Sequence, residues 1–142
     1  MRRPLGIQRT GWREAFSPAR PPAQEGWALV GPSGGTIATR VEMATTPIAR
    51  MRGLLGRRRL EEGTAVLLSP CRQVHTVGMR FAVDAVFCDA ELNVLAAETL
   101  PPGKVSKTHR AARCCVELPA GTAAAFGIAP GVRLRLVSGP DA

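Results

Sequence analysis

A chain of 142 residues with 45% hydrophobic content is long enough for one compact domain with a single core, and two domains are not expected. The formal net charge of +8 invites an acidic partner, but aromatic residues are few and Tyr is absent, so the stacking platforms used on single-stranded nucleic acid are missing. Apolar runs fall short of the roughly 20 residues a membrane-spanning helix needs. Arg2-Arg3-Pro4-Leu5-Gly6-Ile7-Gln8-Arg9 has no apolar signal region, so the expected location is cytoplasmic.

Residues 1–35 carry five Arg against two Glu, with Pro and Gly scattered and no sustained period. They read as a flexible basic extension, although Trp12, Phe16 and Trp27 are candidates to dock on the domain. The domain proper is expected over 36–138, with 139–142 as a tail. Thr36 to Met43 alternates as a strand. Thr46-Pro47 offers an N-cap followed by proline at the first helical position, and the helix should run to about Leu55, ended by Gly56. Short strands follow at Val66–Leu68, Phe81–Cys88, Leu92–Ala97, Cys114–Leu118 and Val132–Val137, with a helical turn at Gly121–Phe126. The predicted fold class is mainly β, a single compact β-sandwich or barrel with one or two short helices.

Four cysteines, Cys71, Cys88, Cys114 and Cys115, contain no C-x-x-C pair. Cys114 and Cys115 are adjacent and point to opposite faces of a strand, so all four read as ordinary thiols.

Asp84 is the one charge in the run Phe81-Ala82-Val83-Asp84-Ala85-Val86-Phe87-Cys88. A strand apolar on both faces should be covered on both sides, and a carboxylate there is costly by several kcal/mol unless something satisfies it. On the helix predicted upstream, Ile48, Met51 and Leu55 share a face, and Arg52 lies about 40° from Ile48 on the wheel. An inward guanidinium wants a carboxylate. Asp84 is the expected partner of Arg52, with Glu117 as the other choice. Glu117 shares its strand face with Arg113 and Cys115, a pattern equally compatible with exposure.

Three blocks carry a resemblance: Arg52-Gly53-Leu54-Leu55-Gly56-Arg57, His75 to Asp89, and Val116-Glu117-Leu118-Pro119-Ala120-Gly121 with Gly127-Ile128. In this order the chain resembles the DUF192 (UPF0127) family over roughly residues 36–138. The resemblance implies a mainly β core with one or two short helices, and it implies no settled reaction. Arg52, Met79, Asp84, Phe87, Asp89, Glu117 and Gly121 match the family pattern. Departures occur in the run Thr76-Val77-Gly78-Met79-Arg80-Phe81, at Ala82 in place of proline, at Leu92 in place of a hairpin glycine, and at Gly131-Val132. Some relatives are found near pilus or secretion genes, a contextual hint that adds secretion or pilus machinery to the candidate partners, beside a small ligand or another protein.

Three functional readings remain open on these residues. The first is a non-catalytic binding or accessory module, without a cofactor, in which Arg52, His75, Asp84 and Glu117 line a pocket for a small ligand or form a structural polar cluster. The second is a hydrolase-like enzyme in which His75 and Asp84 pair and Cys71 or Thr76 acts as nucleophile. The third is a copper or zinc site built from Cys71, His75 and Met79, which are spaced four apart and would share a helix face. His109, in the basic stretch Lys104 to Arg113, reads as part of a solvated surface loop.

Overall fold

The computed structural model describes residues 26–45, 54 and 56–138. Among the described residues eight strands form two sheets: β1 (Trp27–Val30), β2 (Thr36–Ala38), β3 (Arg40–Ala44), β4 (Thr64–Leu68), β5 (Val83–Cys88), β6 (Val94–Leu100), β7 (Cys114–Pro119) and β8 (Arg135–Ser138). One short helix, α1 (Thr122–Ala125), follows β7. The small sheet runs β2-β1-β8 and the large one β3-β4-β7-β5-β6. All pairings are antiparallel except β3 with β4. The architecture is therefore a two-sheet sandwich rather than a closed barrel.

The two sheets enclose the larger core. Val41, Met43, Ala65, Leu67, Val86, Cys88, Cys114, Val116 and Leu118 from the large sheet meet Trp27, Leu29, Ile37 and Leu136 from the small one. The other face of the large sheet is covered too. There Val66, Leu68, Val83, Ala85, Phe87 and Cys115 pack with Leu54, Leu60, Val74 and Ala112 from the connecting segments. Every residue of β4 and β5 is buried, as expected of strands enclosed on both faces.

The N-terminal boundary needs correcting. Trp27–Val30 is a strand in the middle of the small sheet, paired with β2 and β8, so the domain begins well before Thr36. Trp27 is only 2% exposed. The Gly and Pro residues around this strand hid a segment of four residues whose partner, β8, comes from the other end of the chain. The expected strand from Thr36 divides at Thr39, sending β2 into one sheet and β3 into the other. The helix expected from Thr46 to Leu55 lies outside the described residues apart from Leu54. Gly56, assigned to its end, has a positive φ of 83°.

The β5–β6 hairpin turns on Asp89. Its Oδ1 accepts hydrogen bonds from the backbone N–H groups of Glu91 and Asn93 (2.9 Å each), and its Oδ2 accepts from Asn93 Nδ2 at 3.0 Å. Burial works against its charge, but these bonds and the nearby Arg133 hold its carboxyl below the usual range. Leu92 occupies the left-handed region at φ 65° although it is not glycine. That conformation costs roughly 1–2 kcal/mol. Burying a leucine side chain returns roughly 1.5–3 kcal/mol, and Leu92 is 2% exposed, which explains why a side chain is tolerated there. Replacing Asp89 by alanine should lower stability by about 1–3 kcal/mol, read as a shift in the urea midpoint with unchanged m.

Candidate functional site

β5 places Asp84 on the inner face of the large sheet, where it is 1% exposed. Its Oδ1 accepts a hydrogen bond from Thr99 Oγ1 on β6 at 2.6 Å. Its Oδ2 accepts two, from the backbone N–H groups of Gly121 (3.0 Å) and Ala123 (2.9 Å). Gly121 is at φ 94°, a conformation that turns the chain so that both N–H groups converge on one oxygen. The neighbourhood of Asp84 is thus closed, and its described partners are a hydroxyl and two amides.

The opposite face carries different chemistry. Glu42 pairs in register with Val66, Val66 with Glu117, Glu117 with Ala85, and Ala85 with Glu98. Paired residues point the same way, so Glu42, Glu117 and Glu98 form a row across the sheet, successive carboxylates about 10 Å apart at two strand spacings. Each end of the row has a cationic or imidazole partner. Glu42 forms a bidentate pair with Arg57 and a longer contact to Arg40 at 3.7 Å. Glu98 lies 2.7 Å from His109 Nε2, and the His109 ring packs against Phe87 with centroids 4.2 Å apart.

Glu117, between them, is 4% exposed and has no hydrogen-bond partner among the described residues. Burial, seconded by the charge of Cys71, pushes its carboxyl up to about 7, against the opposing influence of Arg57. Burial raises the thiol of Cys115, two residues before Glu117 on the same face, well above its ordinary value, and Cys71 packs against the core cluster that contains it.

These positions redraw the pocket expected from the sequence. Asp84 pairs in register with Leu118, one residue from Glu117, so the two carboxylates lie on opposite faces of the sheet and cannot line one site. Arg52 lies outside the described residues. Leu54, close to it in sequence, packs on the face opposite Asp84. His75 is on an exposed loop, held by a backbone bridge to Val105, and both Asp84 oxygens are committed elsewhere, so no His75–Asp84 pair forms. Thr76 is buried, its hydroxyl donating to Pro101 O at 2.6 Å and accepting from Lys104 N–H at 2.9 Å, which fastens two loops together.

The segment holding Cys71, His75 and Met79 contains no helix, so the shared face expected of them is not formed. Among the described residues no group of three or more His, Cys, Asp or Glu is arranged to hold a metal. Met79 packs against the outer core and Cys71 Sγ donates to Gln73 O at 3.4 Å. His109 is a correction: its side chain is 19% exposed and fixed to Glu98 and Phe87, not part of a solvated loop.

Sequence reasoning also missed a groove of about 320 Å³ lined by Arg40, Arg57, Arg58, Arg59, Glu42, Glu61 and Thr64. The dense run of arginines was its signal. Arg58 is exposed and has no ion-pair partner among the described residues.

A two-sheet β domain with one buried carboxylate anchor and a covered second face defines the class of protein. The sequence matches the profile of DUF192, described as "Uncharacterized ACR, COG1430", over residues 29–136. The chain belongs to the DUF192 family. A crystal structure from Sinorhizobium meliloti 1021, of a protein described as a candidate transcription regulator, is similar with a TM-score of 0.66 and 25% identity, covering 76% of this chain and 89% of that one. A protein of unknown function from Novosphingobium aromaticivorans DSM 12444 has the same fold, with a TM-score of 0.65 and 21% identity, covering 76% of this chain and 81% of that one. No curated protein matches the sequence.

Two predictions follow from the carboxylates. Asp84→Asn removes the charge from the acceptor of three hydrogen bonds and makes the Thr99 hydroxyl turn to accept from the new NH₂ group, and should cost about 2–3 kcal/mol in chemical denaturation, while Thr99→Val should cost about 1–2 kcal/mol. For Glu117 the folded state keeps its proton up to about pH 7, whereas an ordinary glutamate releases it near 4.5. The folded protein then binds more protons between these values, so stability falls as pH rises through this window, by at most about 3 kcal/mol. Glu117→Gln should flatten that part of the pH–stability curve and exceed the parent in stability above pH 7.

Proposed function

We propose that this DUF192 domain is a non-catalytic binding module that takes a small anionic group, a phosphate or carboxylate, in the groove formed by Arg40, Arg57, Arg58 and Arg59. The observation that carries this reading is the charge of that groove: four guanidiniums face two carboxylates, Glu42 and Glu61. Arg57 is held against Glu42 on β3, so one cation is fixed on a rigid strand while Arg58 stays available. Planar guanidiniums suit bidentate recognition of oxyanions. The volume lies at the lower end of the range for small-molecule sites, favouring a compact ligand.

The non-catalytic reading is supported by the chemistry of Asp84. A carboxylate that accepts three hydrogen bonds within the protein and is 1% exposed is sealed from a substrate. His75, its expected companion, belongs to a loop tied down through backbone atoms.

Titration calorimetry with inorganic phosphate, pyrophosphate and citrate tests the reading. At least one should bind with an affinity that falls as salt is added, and Arg58→Glu should weaken it about tenfold or more. Lys107→Glu, a charge reversal outside the groove, should leave it unchanged. No binding of any of the three anions, or equal binding by the Arg58 variant, would overturn the groove assignment. Turnover of ester or phosphate substrates that disappears in His75→Ala would instead establish the catalytic reading.

A further inference from the structure

We propose that the paired turns around Val77 and Val105 dock this domain on the surface of an anionic lipid bilayer, the two valines entering the headgroup region while lysines and arginines beside them meet the lipid phosphates. The segments concerned are 70–83 and 100–116. Val74 from one and Ala112 from the other pack on the outer face of the large sheet, and neither segment shares a residue with the arginine groove. Together they hold six cations, Arg72, Arg80, Lys104, Lys107, Arg110 and Arg113, and no acidic residue. All six are exposed, and none forms an ion pair among the described residues. In the groove, by contrast, Arg40 and Arg57 meet Glu42, and Arg59 meets Glu61.

Thr76 fastens the two segments into one unit. It is wholly buried, its hydroxyl bonded to Pro101 O and Lys104 N–H. Its backbone N–H donates to Lys104 O at 2.7 Å, and its carbonyl accepts from Gly103 N–H at 2.9 Å. Further along, Ser106 N–H donates to Val74 O and His109 N–H to Arg72 O, both at 2.8 Å. Val77 sits at the corner of a reverse turn closed by Met79 N–H on Thr76 O at 3.0 Å, with Gly78 at φ 86°. Val105 follows Lys104, the residue bonded to Thr76, and bridges His75. Val77 is 53% and Val105 60% exposed, two of the three large apolar side chains that are exposed among the described residues. Single exposed valines are ordinary, but two on turns held this firmly together, flanked by cations in both segments, form a patch with a chemistry of its own.

Lysine and arginine near an anionic leaflet gain favourable charge interaction, and aliphatic side chains add to it by entering the boundary between headgroups and acyl chains. The observations favour this acidic surface over others. A nucleic acid would use the cations but not the protruding valines, and neither segment exposes a Phe or Trp for base stacking. An acidic helix from a protein partner docks in a groove, whereas these valines stand out at turns. The carboxylate bonded to this layer is Glu98, and His109 Nε2 holds it at 2.7 Å, so it does not oppose the field of the six cations as a free charge would.

Co-sedimentation of the full chain with lipid vesicles is the test. The protein should partition onto vesicles of equal parts phosphatidylcholine and phosphatidylglycerol, less so as salt is added, and should not partition onto phosphatidylcholine alone. Lys104→Glu combined with Lys107→Glu should lower the partition coefficient about tenfold or more, and Val77→Ser combined with Val105→Ser, which alters no charge, should lower it about tenfold. Arg58→Glu combined with Arg59→Glu makes the same change in net charge at the groove and should stay within about twofold of the parent, because the effect of a charge fades beyond a Debye length. All four positions changed in the docking layer are exposed, and a urea midpoint equal to the parent's shows that each variant is folded. If the Lys104 and Lys107 variant does not fold, Arg72→Gln combined with Arg110→Gln removes charge from the same layer and should lower binding likewise. No partition onto the anionic vesicles, an equal loss in the Arg58 and Arg59 variant, or undiminished binding by the valine variant would overturn the proposal. So would binding of duplex DNA or polyglutamate without binding of vesicles, which would mark the layer as a surface for nucleic acid or for an acidic protein.

Discussion

A carboxylate that has lost its water must find hydrogen bonds within the protein, and Asp84 finds its three in two distant parts of the chain. Thr99 comes from the neighbouring strand β6, while the Gly121 and Ala123 amides come from the corner between β7 and α1. Each bond to a charged acceptor is worth roughly 1.5–3 kcal/mol, enough together to offset the several kcal/mol that burying such a group costs. The carboxylate thereby fixes the course of the chain after β7, where α1 has only four residues and no buried side chain of its own to hold it.

The same sheet separates two kinds of polar burial. Its inner face holds Asp84, fully satisfied and serving architecture. Its outer face holds a row of three glutamates whose ends are paired with Arg57 and His109 and whose centre, Glu117, resists ionisation. A satisfied group contributes rigidity, whereas a group with its proton in balance near neutrality can respond to what approaches it. The carboxyl that burial shifts upward therefore lies on the side where loops cover the sheet, not at the Asp84 anchor.

Much of this was legible in the residues and some could not be. The run Phe81 to Cys88 announces a strand covered on both faces, and β5 is buried throughout. What satisfies its one charge was not legible, because two of the donors are backbone amides, which every residue has and no sequence pattern marks. Charge complementarity pointed to Arg52, which lies outside the described residues. The alternation Arg113, Cys115, Glu117 resembles a half-exposed face, and only the segments from Leu54, Leu60, Val74 and Ala112 make it a buried one. His109 sits in a basic, polar stretch that reads as solvated, and it is the fold that carries its ring onto Phe87.

Composition and periodicity by themselves determined the mainly β class, most strand positions from β3 onward, the turn at Asp89 and the burial of Asp84, because each depends on neighbours in sequence or on the apolar character of a short run. The tertiary structure alone decided that Trp27–Val30 is a central strand, that Asp84 and Glu117 face opposite ways, and that four arginines share a groove. Those outcomes depend on which strands pair and in what register, and a shift of one residue would exchange the two faces. Register is set by the packing of the whole molecule at once, so no local stretch of residues contains it.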